Sequence, residues 1–374
     1  MDKRISAIRC EGYDPKRVRE AVQACLADFG GASALMTRGN RVTIKTNLLM
    51  AARPDTAVTT HPSVIRALAE EFAAAGAKVT IADSPGGAYS ESALVRTYAT
   101  CGLAGLSDIA TLNHDLSHRD VRDEKLFGRR NVPIITPVLD ADLVISAAKL
   151  KTHTFTGYTG AVKNMFGVIP GTSKAGYHAM FPHIADFSSF LVSLCEYVSP
   201  GFTIIDGIIG MEGNGPSGGS PKTANVLIGA VNPHAADLAG SYIMDFDPQK
   251  FPMLAEAMLR GYVPKDASEL EMIGEDIALF RTFFEPPPVY GRLHMITHTL
   301  PGFAKKIVQS FIKPYPVITD SCRGCGECAR DCPQKTIEIK NKRAVIEYRN
   351  CIRCYCCQEL CPFKAVELSR RVKR

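Results

Sequence analysis

Cys322-Arg-Gly-Cys325-Gly-Glu-Cys328-Ala-Arg-Asp-Cys332-Pro333 and Cys351-Ile-Arg-Cys354-Tyr-Cys-Cys357-Gln-Glu-Leu-Cys361-Pro362 are two copies of one pattern, C-x2-C-x2-C-x3-C-P. The spacing has a mechanical reading. Two-residue gaps curl the backbone so that three thiolates converge on three corners of a metal cluster, with nearby amides turned inward. The fourth cysteine comes three residues later, as a helix begins, and points away towards a second cluster. Proline after it ends the loop and leaves no competing amide donor.

Between the runs, Thr336-Ile-Glu-Ile-Lys340 and Ala344-Val-Ile-Glu-Tyr348 alternate apolar and polar residues around Asn341-Lys342-Arg343, a hairpin signature. Residues 316–369 thus form a small α+β unit that resembles bacterial two-cluster ferredoxins. The resemblance implies two [4Fe-4S] clusters, one held by Cys322, Cys325, Cys328 and Cys361, the other by Cys351, Cys354, Cys357 and Cys332. Four-cysteine zinc sites are the competing reading, and the tandem runs favour iron and sulfide. Cys356 is an extra thiol, either a bystander beside Cys357 or a spare ligand.

The chain has 374 residues and 13 cysteines, nine of them between 322 and 361. A disulfide scaffold would spread its pairs through a short secreted chain. Cys10, Cys25, Cys101 and Cys195 sit in apolar-periodic segments and read as small buried hydrophobes. No apolar run reaches the roughly 18 residues of a membrane-spanning helix, and no signal peptide follows Met1, so a cytoplasmic protein is expected. The net charge of +6 lies wholly in residues 316–374, with 13 Lys and Arg against 7 acids. Thiolate-bound clusters carry negative charge of their own, so this excess is not read as a nucleic-acid surface.

Residues 1–246 alternate strand and helix patterns. Ile5–Cys10, Arg41–Thr46, Ala77–Ala82, Asp142–Ser146, Phe202–Ile205 and Asn225–Gly229 read as strands; 15–29 and 62–75 read as helices. Several of these strands are continuous apolar runs, which argues for an α/β domain with a mostly parallel, buried sheet. Residues 247–315 read as a helical, proline-rich connection, with helical patterns at Met253–Arg260 and Gly302–Ile312. The latter is basic and amphipathic, suited to packing on the large domain or lying on a membrane surface.

Open α/β sheets bind ligands at the carboxyl ends of their strands. The residues there are Asn47, Asp83, the stretch Lys149, Lys151, His153, Lys163, Asn164, Lys174 and His178, and then Asp206, Glu212 and Asn214. Lone polar residues such as His61, Asp83 and Asp206 also suit helix and turn caps, and the glycine-rich loops suit tight turns. No dinucleotide or P-loop fingerprint is present. The lysine- and histidine-punctuated stretch from 149 to 178 reads as a binding surface for an anion, because a solvated face would carry acids too.

Thr59-Thr-His-Pro62, Asp83-Ser-Pro-Gly-Gly87, Lys151-Thr-His153, Gly160-Ala-Val-Lys-Asn164 and Asp206 through Gly215 are similar to the DUF362 family, a domain of unknown function often joined to a ferredoxin-like tail. A fainter similarity is to the lactate racemase family, whose members use a nickel-pincer nucleotide. On that resemblance Lys163 anchors a cofactor, His178 binds its metal and His153 handles a substrate proton. Thr46-Asn47 and the cysteine-rich tail depart from that family.

The reading favoured is an iron–sulfur oxidoreductase. The tail relays single electrons to a phosphate-bearing cofactor or other small anionic ligand; His153, Lys163 and His178 are the catalytic candidates. An acidic ferredoxin or flavodoxin is the expected donor. The alternatives are a non-catalytic electron carrier or cluster-assembly factor, clusters acting as structural braces, and a relative of the pincer-dependent isomerases.

Overall fold

The computed structural model describes residues 1–37, 39–171, 173–288 and 313–370. Eleven strands precede residue 288: β1 (Arg4–Arg9), β2 (Arg41–Lys45), β3 (Lys78–Ala82), β4 (Thr111–Leu112), β5 (His118–Arg122), β6 (Asn131–Ile135), β7 (Leu143–His153), β8 (Gly157–Thr159), β9 (Phe202–Glu212), β10 (Ser220–Ala230) and β11 (Glu271–Met272). Nine of them form one sheet in the order β11-β1-β10-β9-β7-β2-β3-β4, with β8 beside β7. From β9 to β4 every pair is parallel, while β10 is antiparallel to both β9 and β1. The sheet is therefore mixed and mostly parallel. β5 and β6 form a separate antiparallel pair.

Alternation along each strand sends apolar side chains to both faces, and both are covered. Val42, Ile44, Ile81 and Ile145 face the helices Pro15–Ala27 and Pro62–Ala74. Ala148, Leu150, Ile205 and Val226 face the helix Pro233–Ile243, and Val144 meets the helix Ile184–Val198. Both early helices begin where expected. Asp14 caps the first, and the His61 imidazole accepts from the Ser63 amide at 3.2 Å to cap the second.

β7 and β9 differ from expectation. Each runs eleven residues, well past the apolar run that marks its start, because Lys149, Lys151 and Gly207 continue the strand while buried. Residues 251–284 also pack into the sheet domain. Phe251, Leu254, Phe280 and Phe284 join the core under β1 and β10, and β11 adds a strand beside β1. A helix spans Pro252–Leu259. The basic amphipathic pattern at 302–312 lies outside the described residues.

The C-terminal unit contains β12 (Tyr315–Ile318), β13 (Ile337–Lys340), β14 (Arg343–Ile346) and β15 (Val366–Ser369). β13 and β14 form the expected hairpin, its turn made by Asn341 and Lys342 with φ of 49° and 58°. Two left-handed residues in a two-residue turn match the twist of the strands they join. β12 and β15 close the other end as an antiparallel pair.

Candidate functional site

The cysteines of the tail line two cavities. One cavity of about 330 Å³ is lined by Cys322, Cys325, Cys328 and Cys361. A second is lined by Cys332, Cys351, Cys354, Cys356 and Cys357. The curl that brings three thiols together is visible in the backbone. Gly324 and Gly326 have φ of 66° and 83°; their counterparts in the second run, Arg353 and Tyr355, have 53° and 66°. Non-glycine residues adopt this conformation at a cost, so its repetition marks a constraint on the loop. Lys335 and Lys364 repeat the pattern after the fourth cysteines. Backbone amides already point at sulfur: Thr336 to Cys332 at 3.4 Å, Ala344 to Cys322 at 3.4 Å and Ala365 to Cys361 at 3.2 Å. Four or five thiols per cavity with inward amides fit an iron–sulfur cluster.

A third cavity opens at the carboxyl ends of β2, β3 and β7. Strand order reverses between β2 and β7, which is where open sheets leave a crevice. His153, Lys163 and His178 line it together with Asn47, Asp83, Lys151, Asn164 and Lys174. The cysteine-rich unit forms part of the wall through Asp331, Cys356, Glu359 and Leu360. That unit is held by Ser217 donating to the Glu359 carbonyl at 2.7 Å and Gln358 donating to the Asn214 carbonyl at 3.1 Å. Leu360 lies against Gly86, where a side chain would collide with it.

The cavity is rich in cationic and donor groups. Lys45 pairs with Asp83 at 2.9 Å, both buried; the Leu48 and Ser84 amides hold the same carboxylate at 2.7 Å each. Lys151 donates to Asn47 Oδ1 at 2.9 Å and to the Val58 carbonyl at 2.7 Å. Lys174 donates to the Ser84 hydroxyl at 3.2 Å. Burial pulls both ammonium groups down to about 7, against the pull of nearby carboxylates. The Lys163 ammonium lies over the Phe166 ring at 4.6 Å and has no hydrogen bond or ion pair among the described residues. Its pKa is lowered by the same desolvation, partly offset by Glu359.

Burial keeps both histidines uncharged. His153 Nδ1 accepts from the Phe155 and Thr156 amides at 3.0 and 3.3 Å, so the ring proton sits on Nε2. That nitrogen is buried without a hydrogen-bond partner, and Glu359 Oε2 stands 3.6 Å away. Burial, then Lys163, holds His153 well below the ordinary histidine range. His178 is enclosed by Phe155, Phe166 and Phe187, with ring centroids 5.6, 5.8 and 4.5 Å away, and is lowered to about 3.

Four expected residues lie elsewhere. Lys149 is consumed by Asp206 at 2.8 Å and the Tyr13 hydroxyl at 2.7 Å, in a buried network beneath the sheet edge. Asp206 also accepts from Tyr13 and from the His61 amide, so both residues brace the loops. Glu212 accepts from the Glu285 amide, and Asn214 supplies its carbonyl to Gln358. Lys45 and Glu359 were not anticipated. Lys45 had a signal, since it ends β2 immediately before Thr46-Asn47; nothing in the sequence announced that the cysteine-rich unit would bring Glu359 to the sheet.

Residues 42–242 match the family described as a domain of unknown function, DUF362, and residues 316–362 match a 4Fe-4S dicluster domain. The thylakoid-associated protein sll1697 of Synechocystis sp. is 31% identical over 268 residues, 71% of this chain and 82% of its own length. A ferredoxin-like protein in the nif region of Sinorhizobium fredii is 32% identical over 54 residues, 13% of this chain and 84% of its own length. Among solved structures, the lactate racemase apoprotein of Thermoanaerobacterium thermosaccharolyticum superposes with a TM-score of 0.43 at 15% identity, covering 65% of this chain; the chain spans 58% of that structure. No helix among the described residues is long and apolar enough to cross a membrane.

Proposed function

The chain belongs to the DUF362 family and carries a ferredoxin-like iron–sulfur domain, and from that premise we propose an electron-transferring oxidoreductase acting on a small anionic ligand. The observation that carries this reading is that the cysteine-rich unit walls the lysine–histidine cavity with Asp331, Cys356, Glu359 and Leu360, so a ligand there lies against that unit. Two [4Fe-4S] clusters, one per cysteine cavity, supply single-electron transfer when bound.

The protein's own groups then have distinct tasks. Lys151, Lys163 and Lys174 hold the anion, a phosphate-bearing cofactor or substrate. Lys163 is the group with unspent donors. His153 presents Nε2–H and cannot act as a base through Nδ1, whose lone pair is occupied by two amides. It therefore donates to a ligand oxygen and stabilises negative charge that develops there. The rings of Phe155, Phe166 and Phe187 keep water from His178. An acidic ferredoxin or flavodoxin suits the basic C-terminal unit as electron donor, and a cytoplasmic setting suits free thiols.

A native mass spectrum of protein purified without oxygen tests the reading. Two Fe4S4 masses together with a bound anionic small molecule are expected. Two cluster masses on a chain whose cavity takes up no anion would favour a plain carrier, and zinc in place of iron would overturn the reading altogether.

A further inference from the structure

Cys356 stands inside the ligand run, yet the geometry gives it a different role. Each cysteine cavity already has its four thiols without it. The internal repeat makes Cys356 the counterpart of Glu327, since each opens a short helix two residues after the middle cysteine of its run. Glu327 turns aside to pair with Arg330. Cys356, 6% exposed, lines both the inner cysteine cavity and the lysine–histidine cavity. The outer cysteine cavity, around exposed Cys325, shares no lining residue with the ligand cavity. A second feature marks this wall as a ligand surface: His153 Nε2, on a side chain only 2% exposed, lines the same cavity and lacks any hydrogen-bond partner.

We infer that Cys356 is a ligand-contact residue, the thiol through which the anion in the lysine–histidine cavity meets the inner cluster site, and not a ligand to either cluster. This rests on the proposed function and sharpens it, because it makes the two clusters inequivalent. With clusters bound, the site at Cys356 would lie beside the ligand and the site at exposed Cys325 would lie towards solvent.

The test uses the full-length, cluster-loaded chain. Iron and sulfide content of the wild type tests the underlying reading. Cys356→Ala is expected to keep the wild-type content, whereas Cys357→Ala loses about half, as removal of a ligand to one of two clusters requires. In the wild type, methyl methanethiosulfonate is expected to add one methylthio group, mapped to Cys356, and inorganic phosphate slows that reaction. With phosphate at about ten times its calorimetric Kd, labelling slows about tenfold, since only the free fraction reacts. Loss of half the iron from Cys356→Ala makes it a ligand and overturns the inference alone. So does a Cys356 that stays unlabelled in the phosphate-free protein, or one labelled at a rate phosphate leaves unchanged. Failure of the wild type to hold two clusters, or to bind phosphate by calorimetry, overturns the functional reading beneath it.

Discussion

Lys163→Met separates a binding lysine from a structural one. The wild-type ammonium is buried, lies over a phenyl ring and has no carboxylate or carbonyl to lose among the described residues. Methionine keeps most of the volume and removes a desolvated charge, so stability to urea is expected to hold or rise. Binding is another matter. A charge-assisted hydrogen bond to an anion contributes about 1.5–3 kcal/mol, so inorganic phosphate should bind roughly 10- to 150-fold more weakly. Lys45→Met provides the contrast. It strands Asp83, which is 3% exposed, without its counter-ion at 2.9 Å. Removing one partner of a buried pair costs about 3–5 kcal/mol, with the Leu48 and Ser84 amides drawing the figure to the low end. Calorimetric titration and urea unfolding at one pH give both numbers. The reasoning fails if Lys163→Met binds phosphate as the wild type does, or unfolds as early as Lys45→Met.

Sulfate, whose charge is fixed across neutral pH, should bind best below pH 7 and weaken as Lys151 and Lys174 lose their protons near 7. The same shift acts on stability. The ordinary lysine value of 10.5 lies above the folded one, so the unfolded chain holds more protons between about 7 and 10.5. The anion-free protein should therefore gain stability as pH rises through that window, and a flat urea midpoint there contradicts the assignment. Gly86→Val places a side chain against Leu360 and within 3.3 Å of the Leu49 carbonyl or closer. Amide exchange should then quicken in residues 356–361 and stay unchanged in β2 and β7. Stripping iron with a chelator should expose β12 to β15 to exchange while the nine-stranded sheet stays protected, because the tail's few buried apolar side chains cannot hold so small a unit without its metal.

The cysteine spacing is legible because a fixed gap between residues is a local constraint, and it leaves the role of Cys356 and the β12–β15 pair open. Strand starts were equally local. Val42-Thr43-Ile44 and Val79-Thr80-Ile81 announce themselves by β-branching and burial, as at Ile44 and Ile81. What escaped was set by pairing at a distance. Lys149 and Asp206 looked alike as loop-end polar residues, yet they satisfy each other across adjacent strands and so leave the cavity. β7 outran its apolar run because a buried lysine whose partner lies 57 positions away cannot be told from a strand-ending one. Glu359 reached the site through docking of the cysteine-rich unit, whose hydrogen bonds join residues 142 and 144 positions apart.

The docking bonds of Ser217 and Gln358 both end on main-chain carbonyls, of Glu359 and Asn214. A carbonyl is supplied by any residue, so these two anchors place little demand on the partner's sequence at either address. The joint between the two units is thus specified by shape and by two donor side chains. A chimera that carries a foreign dicluster unit should seat correctly if it keeps a glutamine at position 358 and a leucine at 360, while the residue at 359 is left free to retune the charge facing the lysines.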